Sequence, residues 1–270
     1  MRRDNPMQLA MYQVDAFTDR LFAGNPAAVC PLEAWLPDAA MQAIAAENNL
    51  SETAFFVPRG EDYDLRWFTP TLETDLCGHA TQASGFVVMN RLAPQRSTVR
   101  FHTRSGALTV TRQGDQFAID LPAQPPAPCA MPAKTVAALG RKPAQILAAT
   151  KYLAVYDSAA EVAALAPDTA ALTDIDRDGV IVTAPGPEGD RGACDFVSRY
   201  FAPHAGIPED PVTGSAHCTL VPYWAKRLGK TKLHARQISR RGGELFCELR
   251  GDRVVVAGRA ALYLEGKIHV

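Results

Sequence analysis

The segment RWFTPTLETDLCGHA, Arg66 to Ala80, returns in altered form as RYFAPHAGIPEDPVTGSA, Arg199 to Ala216. Arg66-Trp67-Phe68-Thr69-Pro70 aligns with Arg199-Tyr200-Phe201-Ala202-Pro203. After a slightly longer loop, Leu76 to Ala80 aligns with Val212 to Ala216. Each copy reads as a strand, a loop holding acids, and a glycine followed by small residues that opens a helix. Two matched blocks in the same order imply an internal duplication, so whatever sheet and helix one half builds, the other builds too.

The clearest compositional break, Pro122 to Pro132 (PAQPPAPCAMP), lies near the middle of the 270 residues. Proline there favours an extended connection and excludes a helix or a central strand. The expected domains are 1–124 and 125–270, each large enough for its own core, with the last strand free to cross back to the first. Strands are expected at YQVDAFT, NPAAVC (after a Gly24-Asn25-Pro26 turn), TAFFV, YDLRWF, STVRFH, ALTVTR and QFAIDL. In the second half they are expected at KYLAVYD, GVIVTAP, CDFVSRYF, ELFCELR, RVVVAGRA and ALYLEG. Helices are expected over DAAMQAIAAENNL with Asp38 as N-cap, after Gly78, and after Gly214 with a kink at Pro222. Strands outnumber helices and many are joined by short turns. The fold class is therefore α+β with mixed, mainly antiparallel sheets, not a doubly wound Rossmann sheet. Neither GxGxxG nor GxxxxGK[ST] occurs, so nucleotide phosphate sites have no support.

Lys plus Arg (28) nearly balance Asp plus Glu (29), which argues against nucleic acid or an anionic membrane as partner. No apolar run reaches the length of a membrane span, and MRRDNPMQLAMYQVDAF lacks the apolar core of a signal peptide. The first residues read as a loose leader before a strand near Met11, and the expected location is cytoplasmic. The six cysteines (30, 77, 129, 194, 218 and 247) form no CxxC pair and read as reduced thiols.

Duplication places two helix N-termini in pseudo-symmetric positions, read as facing a cleft between the halves. Each offers free backbone N–H groups and the positive end of a helix dipole, and Gly78 and Gly214 let a ligand approach closely. Such a pair suits a small carboxylate and the enolate formed when a neighbouring C–H loses its proton, with no cofactor. Cys77 and Thr213 immediately precede the two helices. Two cysteines there would make a two-base racemase; one Cys and one Thr disfavour it, and Cys77 reads equally as a packed thiol or a reactive one. His79 is placed to donate a proton, orient a substrate oxygen or cap its helix, and a functional role is favoured. A Cys77–His79 hydrolytic dyad shows no orienting third group in the sequence. The alternation Glu73, Asp75, Cys77, His79 mixes hard and soft ligands without a second cluster, so no metal is expected. Glu47 falls late on its helix and reads as solvated. Glu52, between a helix end and the apolar run Ala54 to Val57, is either part of an ordinary turn or a buried acid/base; the residues alone leave both open. Asp210 caps its loop or binds a substrate hydroxyl or amine.

With VDAFTDRLFAGNPAAV, AAENNLSETAFFV, LRWFTPTLETDLCGHAT, GIPEDPVTGSAHC and PYWAKRLGK in order, the sequence closely resembles the phenazine-biosynthesis F-type isomerase family over nearly its whole length. The resemblance implies the diaminopimelate epimerase-like fold: two pseudo-symmetric domains, each a sheet curled around a central helix, with the active site between them. It also implies a homodimer and no cofactor. It assigns proton transfer to Glu52, catalytic roles to His79 and Asp210, and substrate binding to Asn25, Gly78, Gly214 and Ser215. Cys77 stands where phenazine-pathway members carry a small residue, so the resemblance implies proton-transfer machinery without that pathway's own substrate. The function expected is a cofactor-independent isomerase acting on a small carboxylated substrate. The alternatives are an amino-acid epimerase or racemase using Cys77, or a non-catalytic binding protein that retains the fold.

Overall fold

In the computed structural model, which describes residues 7–187 and 193–270, the chain divides into two units. The first comprises the chain up to Phe22, Pro26–Ile119 and Arg259–Val270; the second comprises Ala23–Asn25 and Asp120–Gly258. The change of unit at Ile119 falls just ahead of the proline-rich segment. Part of the expected N-terminal leader, residues 1–6, lies outside the described residues.

The first unit runs β1 (Gln8–Ala16), β2 (Asn25–Pro31), α1 (Asp38–Asn48), β3 (Glu52–Arg59), β4 (Asp62–Phe68), β5 (Glu73–Thr74), α2 (Gly78–Val87), β6 (Thr98–Thr103), β7 (Gly106–Gln113) and β8 (Gln116–Pro122). Strands β2 and β3 are parallel across α1, β3 and β4 form an antiparallel pair, β4 is parallel to β6 across α2, and β6–β7–β8 is a meander. Met41, Ile44 and Ala45 recur at helical spacing in α1 and pack in one cluster with Phe55 and Phe68. The expected Asp38 cap is not formed. Pro37 holds the cap position, and Asp38, already helical, accepts a 2.9 Å bond from Arg66 Nη1.

After the prolines the second unit runs β9 (Ala127–Pro128), α3 (Ala133–Ala138), β10 (Gln145–Ala148), β11 (Tyr152–Val155), α4 (Ala159–Ala164), β12 (Val180–Pro185), β13 (Phe196–Ala202), β14 (Ile207–Asp210), α5 (His217–Leu228), β15 (Lys232–Gln237), β16 (Gly243–Arg250) and β17 (Arg253–Gly258). The first unit's pairing order recurs: β11 parallel to β12, β12 antiparallel to β13, β13 parallel to β15 across α5, then the β15–β16–β17 meander. The chain closes with β18 (Ala260–His269), antiparallel to β1 along its length and part of the first unit. The proline-rich segment is not wholly a connector, since β9 pairs with β10.

The duplicated arginines explain the repeated motif. Arg66 forks onto Glu73 through Nε (2.7 Å) and Nη2 (2.8 Å), and its guanidinium lies 5.2 Å from the centre of the Phe68 ring. Arg199 forks onto Glu209 through Nε (2.7 Å) and Nη2 (2.9 Å), 5.0 Å from the centre of Phe201. In each unit a planar, two-bonded fork pins the acid-bearing loop to the strand before it, leaving the chain to enter the next helix.

Helix α2 is buried on nearly all sides and packs against β1, β3, β6, β7 and β18. A helix so enclosed has room only for small side chains, hence Ala80, Ala83, Ser84 and Gly85. In the second unit, Pro222 sits inside α5 and offers no N–H to the Cys218 carbonyl, which instead accepts from Gln124 N at 2.8 Å.

A methyl added at Gly85 would lie 2.6 Å from Val110 Cγ1 and 2.7 Å from Val110 Cβ. Gly→Ala inside a helix ordinarily stabilises, by about 1 kcal/mol. Gly85→Ala is expected instead to destabilise by about 1–3 kcal/mol through overpacking. Denaturant unfolding checks the sign, and adding Val110→Ala should restore only part of the loss, because Cβ itself is in the way.

Candidate active site

Helix α1 ends in a left-handed Asn49, and the chain turns at once into β3, whose first residue is Glu52. Asn48 Nδ2 donates to Thr53 Oγ1 at 3.1 Å and holds that entry. Helix α2 starts from an extended Cys77, and Thr81 Oγ1 donates to the Cys77 carbonyl at 2.5 Å. Gln82 fastens the same turn on two sides, accepting from Phe17 N (3.2 Å) and donating to the Phe117 carbonyl (2.8 Å). These anchors bring three side chains together. His79 Nε2 lies 3.3 Å from Glu52 Oε2, and His79 Nδ1 lies 3.5 Å from Cys77 Sγ. Cys77 and His79 are each 4% exposed, and the Glu52 side chain 12%.

Burial pushes His79 down to about 3, so the imidazole is neutral and carries one proton. A proton on Nε2 faces Glu52 Oε2 at 3.3 Å, and the ring's other nitrogen faces the Cys77 thiol. Nδ1 is then the acceptor for the Cys77 thiol. The result is a continuous thiol–imidazole–carboxylate line.

The second unit builds a different arrangement at the matching place. Asp210 ends β14, and its carboxyl accepts from Asn25 Nδ2 (2.8 Å) and from the Thr213 hydroxyl. Asn25 also donates to the Val212 carbonyl at 2.9 Å. Gln237, at the end of β15, accepts from Thr213 N (2.8 Å) and donates to the Asp210 carbonyl (2.8 Å). Burial raises Asp210 to about 6, although the hydroxyl and amide donors pull the other way. Gly214 and Ser215 lie in a 3₁₀ turn leading into α5, so the second helix begins less regularly than the first. His217 Nδ1 lies 2.9 Å from the Thr213 carbonyl, as Thr81 does for Cys77.

The candidate residues thus form two groups: Glu52, Cys77, Gly78 and His79 in the first unit, and Asn25, Asp210, Thr213, Gly214 and Ser215 in the second. Glu52 is not a turn residue but the head of a strand. The missing third member of the Cys77–His79 dyad is Glu52, an orienting carboxylate that sequence reasoning did not connect to it. Gln237 and His217 also went unrecognised. Extending the repeat alignment by one residue pairs Thr81 with His217, which was the available signal for the latter.

The alternation Glu73, Asp75, Cys77, His79 does not form a cluster, because Glu73 is held by Arg66 and by Arg104 (2.7 Å) and Asp75 faces Arg104 (3.6 Å). Glu52, Cys77 and His79 do present ligating atoms within 4.8 Å of one another. The thiol, however, addresses Nδ1 and the carboxylate Nε2, opposite edges of one ring. This suits a hydrogen-bonded line better than a shared ion.

Strand register locates the counterpart of Glu52. Phe68 pairs with Thr53 and Phe201 with Val180, so Thr53 matches Val180 and Glu52 matches Gly179. Gly179 has φ +136°, and a Cβ there would lie 2.6 Å from the Tyr200 hydroxyl. The carboxylate at this position therefore exists in one unit, and the other has no side chain there.

These groups give stability a calculable pH dependence. His79 (about 3) and His217 (about 4, also lowered by burial) sit below the ordinary histidine value of 6.5. Between pH 4 and 6 the unfolded chain therefore binds two more protons at these sites, and stability falls as pH falls. Asp210, raised from 3.8 to about 6, acts oppositely: its contribution is present at low pH and is lost as pH rises through about 6. The net is about one proton, so these three groups together cost on the order of 1 kcal/mol per pH unit on acidification. Asp210→Asn is expected to steepen the slope to about twice that, as read from denaturant unfolding between pH 4 and 6.

Over residues 14–266 the chain matches the family described as phenazine biosynthesis-like protein. A protein of Pseudomonas aeruginosa named an uncharacterized isomerase is 54% identical over 264 residues, spanning 98% of this chain and 100% of the relative. The human phenazine biosynthesis-like domain-containing protein is 41% identical over 287 residues, spanning 97% and 99%. The crystal structure of a PhzF-family phenazine biosynthesis protein from Enterococcus faecalis superposes with a TM-score of 0.93 at 46% identity, spanning 98% and 100%. A hydroxyproline epimerase from Agrobacterium vitis shares the fold alone, at a TM-score of 0.63 and 11% identity. The expected fold class agrees with these structures, and the expected isomerase agrees with the names of the bacterial relatives: the chain belongs to the phenazine biosynthesis-like family.

Proposed function

We propose that this protein is a cofactor-independent isomerase that removes a proton from a small carboxylated substrate and returns it elsewhere, with Glu52 as the acid/base. The observation that carries this reading is the 3.3 Å approach of His79 Nε2 to the Glu52 carboxylate at a nearly buried site. A neutral N–H orients the carboxylate without neutralising its charge, which is what a reusable base requires. The N–H groups at the start of α2, beside Gly78, stabilise the charge that develops on the substrate carboxylate as the C–H bond breaks. Asp210, Asn25, Gly214 and Ser215 hold the substrate. Asp210, raised to about 6, is able to donate or accept near neutral pH.

Two features favour this reading over two-base racemisation. The position matching Glu52 is Gly179, and the one matching Cys77 is Thr213, whose hydroxyl is donated to Asp210. Neither a carboxylate nor a thiol stands at these two matching positions of the second repeat.

In heavy water, the wild-type protein should incorporate deuterium into a carboxylated cyclic or amino-acid substrate identified by screening. Glu52→Gln should lower uptake by about 10²–10⁴-fold while unfolding normally, the range for loss of a general acid/base. Unchanged uptake in that variant removes Glu52 from the role. For Asp210→Asn, the expected effect is a rise in KM larger than the fall in kcat, which marks binding rather than chemistry. Equal falls in kcat and kcat/KM would move Asp210 into the proton-transfer step.

A further inference from the structure

We propose that His79 relays a proton between the Cys77 thiol and the Glu52 carboxylate, making Cys77 the second proton station of the site. The inference rests on Glu52 as the proton carrier and adds a partner to it. Its basis is the line of contacts, Sγ to Nδ1 at 3.5 Å and Nε2 to Oε2 at 3.3 Å, through the two ends of one ring. All three side chains are shielded, and their backbones are fixed at the start of α2 and of β3.

The step is balanced and needs no co-reactant. The Sγ–H bond breaks as Nδ1–H forms, and Nε2–H breaks as a Glu52 O–H forms. The imidazole changes tautomer and stays neutral, while the negative charge passes from carboxylate to sulfur. Passage through a charged imidazolium is disfavoured, because burial holds His79 near 3. The relay lets a turnover begin with Glu52 as base or, after one transfer, as acid, at constant total charge. The setting of Cys77 differs from that of Cys30, whose thiol burial pushes up to about 12, and of Cys218, raised to about 11 by burial against the opposing charges of Lys151 and Arg253. A hydrogen-bonded imidazole gives the Cys77 proton somewhere to go.

The test is iodoacetamide labelling of the folded, substrate-free protein at one fixed pH, with the Cys77 peptide followed by mass spectrometry. The half-buried Cys129 and Cys194 serve as internal controls, and labelling of Cys30, which is fully enclosed where Cys77 is 4% exposed, would reveal unfolding. Glu52→Gln and His79→Phe each remove the route to the acceptor, so each should slow Cys77 labelling by about tenfold or more, with the controls unchanged. Equal or faster labelling of Cys77 in both folded variants overturns the relay. A measurement on the wild type alone guards against misfolded variants: the ¹⁵N shifts of His79 should show one proton, on Nε2. A proton on both nitrogens overturns the proposal, because the relay runs through a ring that stays neutral. Loss of deuterium uptake in Glu52→Gln with unchanged Cys77 labelling removes the relay and leaves the isomerase reading. Retained uptake with slowed labelling removes the isomerase reading and leaves the relay.

Discussion

Everything in the first unit follows from enclosing a ten-residue helix in a curled sheet. Because α2 meets strands on almost every side, it has no solvent face on which to place polar side chains, and those it has must be satisfied internally. Thr81 and Ser84 donate to carbonyls four residues back, the latter at 2.7 Å, and Gln82 bridges the backbone of Phe17 and Phe117. The same enclosure removes the water that would let His79 charge. A neutral imidazole at the helix start is thus a consequence of packing.

The Arg66–Glu73 and Arg199–Glu209 forks serve that enclosure. Each is a two-bonded ion pair on a half-buried surface, so its value lies less in net stability than in fixing geometry. Pinning the loop to the preceding strand sets where the next residue with free backbone N–H groups emerges. That residue is Gly78 in one unit and Gly214 in the other. The shared grammar of the two segments is therefore mechanical, and the residues to which the proposal gives chemistry are ones in which they differ.

This division explains what the sequence made legible. The repeat, the helix starts and most strands rest on local patterns: alternation, small-residue runs and turn glycines. They were readable without knowing the fold. Glu52 could not be tied to His79 by any local rule, because one heads a strand after α1 and the other opens a helix, and only the packing of α2 against β3 joins them. Strand β15 (KLHARQ) was missed because only Leu233 and Ala235 supply apolar alternation, and with it went Gln237, which braces the Asp210 loop. The Asp38 cap failed for a tertiary reason: Arg66 offers its carboxylate a charged partner, while Pro37 already sets the helix entry.

The partners of the acids separate structural from chemical roles more sharply than burial does. Glu73 and the Glu52 side chain are almost equally shielded, at 15% and 12% exposure. The Arg66 guanidinium beside Glu73 holds its carboxyl below the usual range, and an acid held ionised by a permanent cation cannot return a proton. Glu209 sits in the same kind of fork with Arg199. Glu52 instead meets a ring that burial keeps neutral and that carries an acceptor at its far edge. A neutral partner imposes orientation without imposing charge, which is what the proposed acid/base role requires of the carboxyl beside it. By that criterion the first unit holds one acid fixed by a permanent cation and one, the acid the proposal assigns to proton transfer, that is not, although both lie in the same sheet.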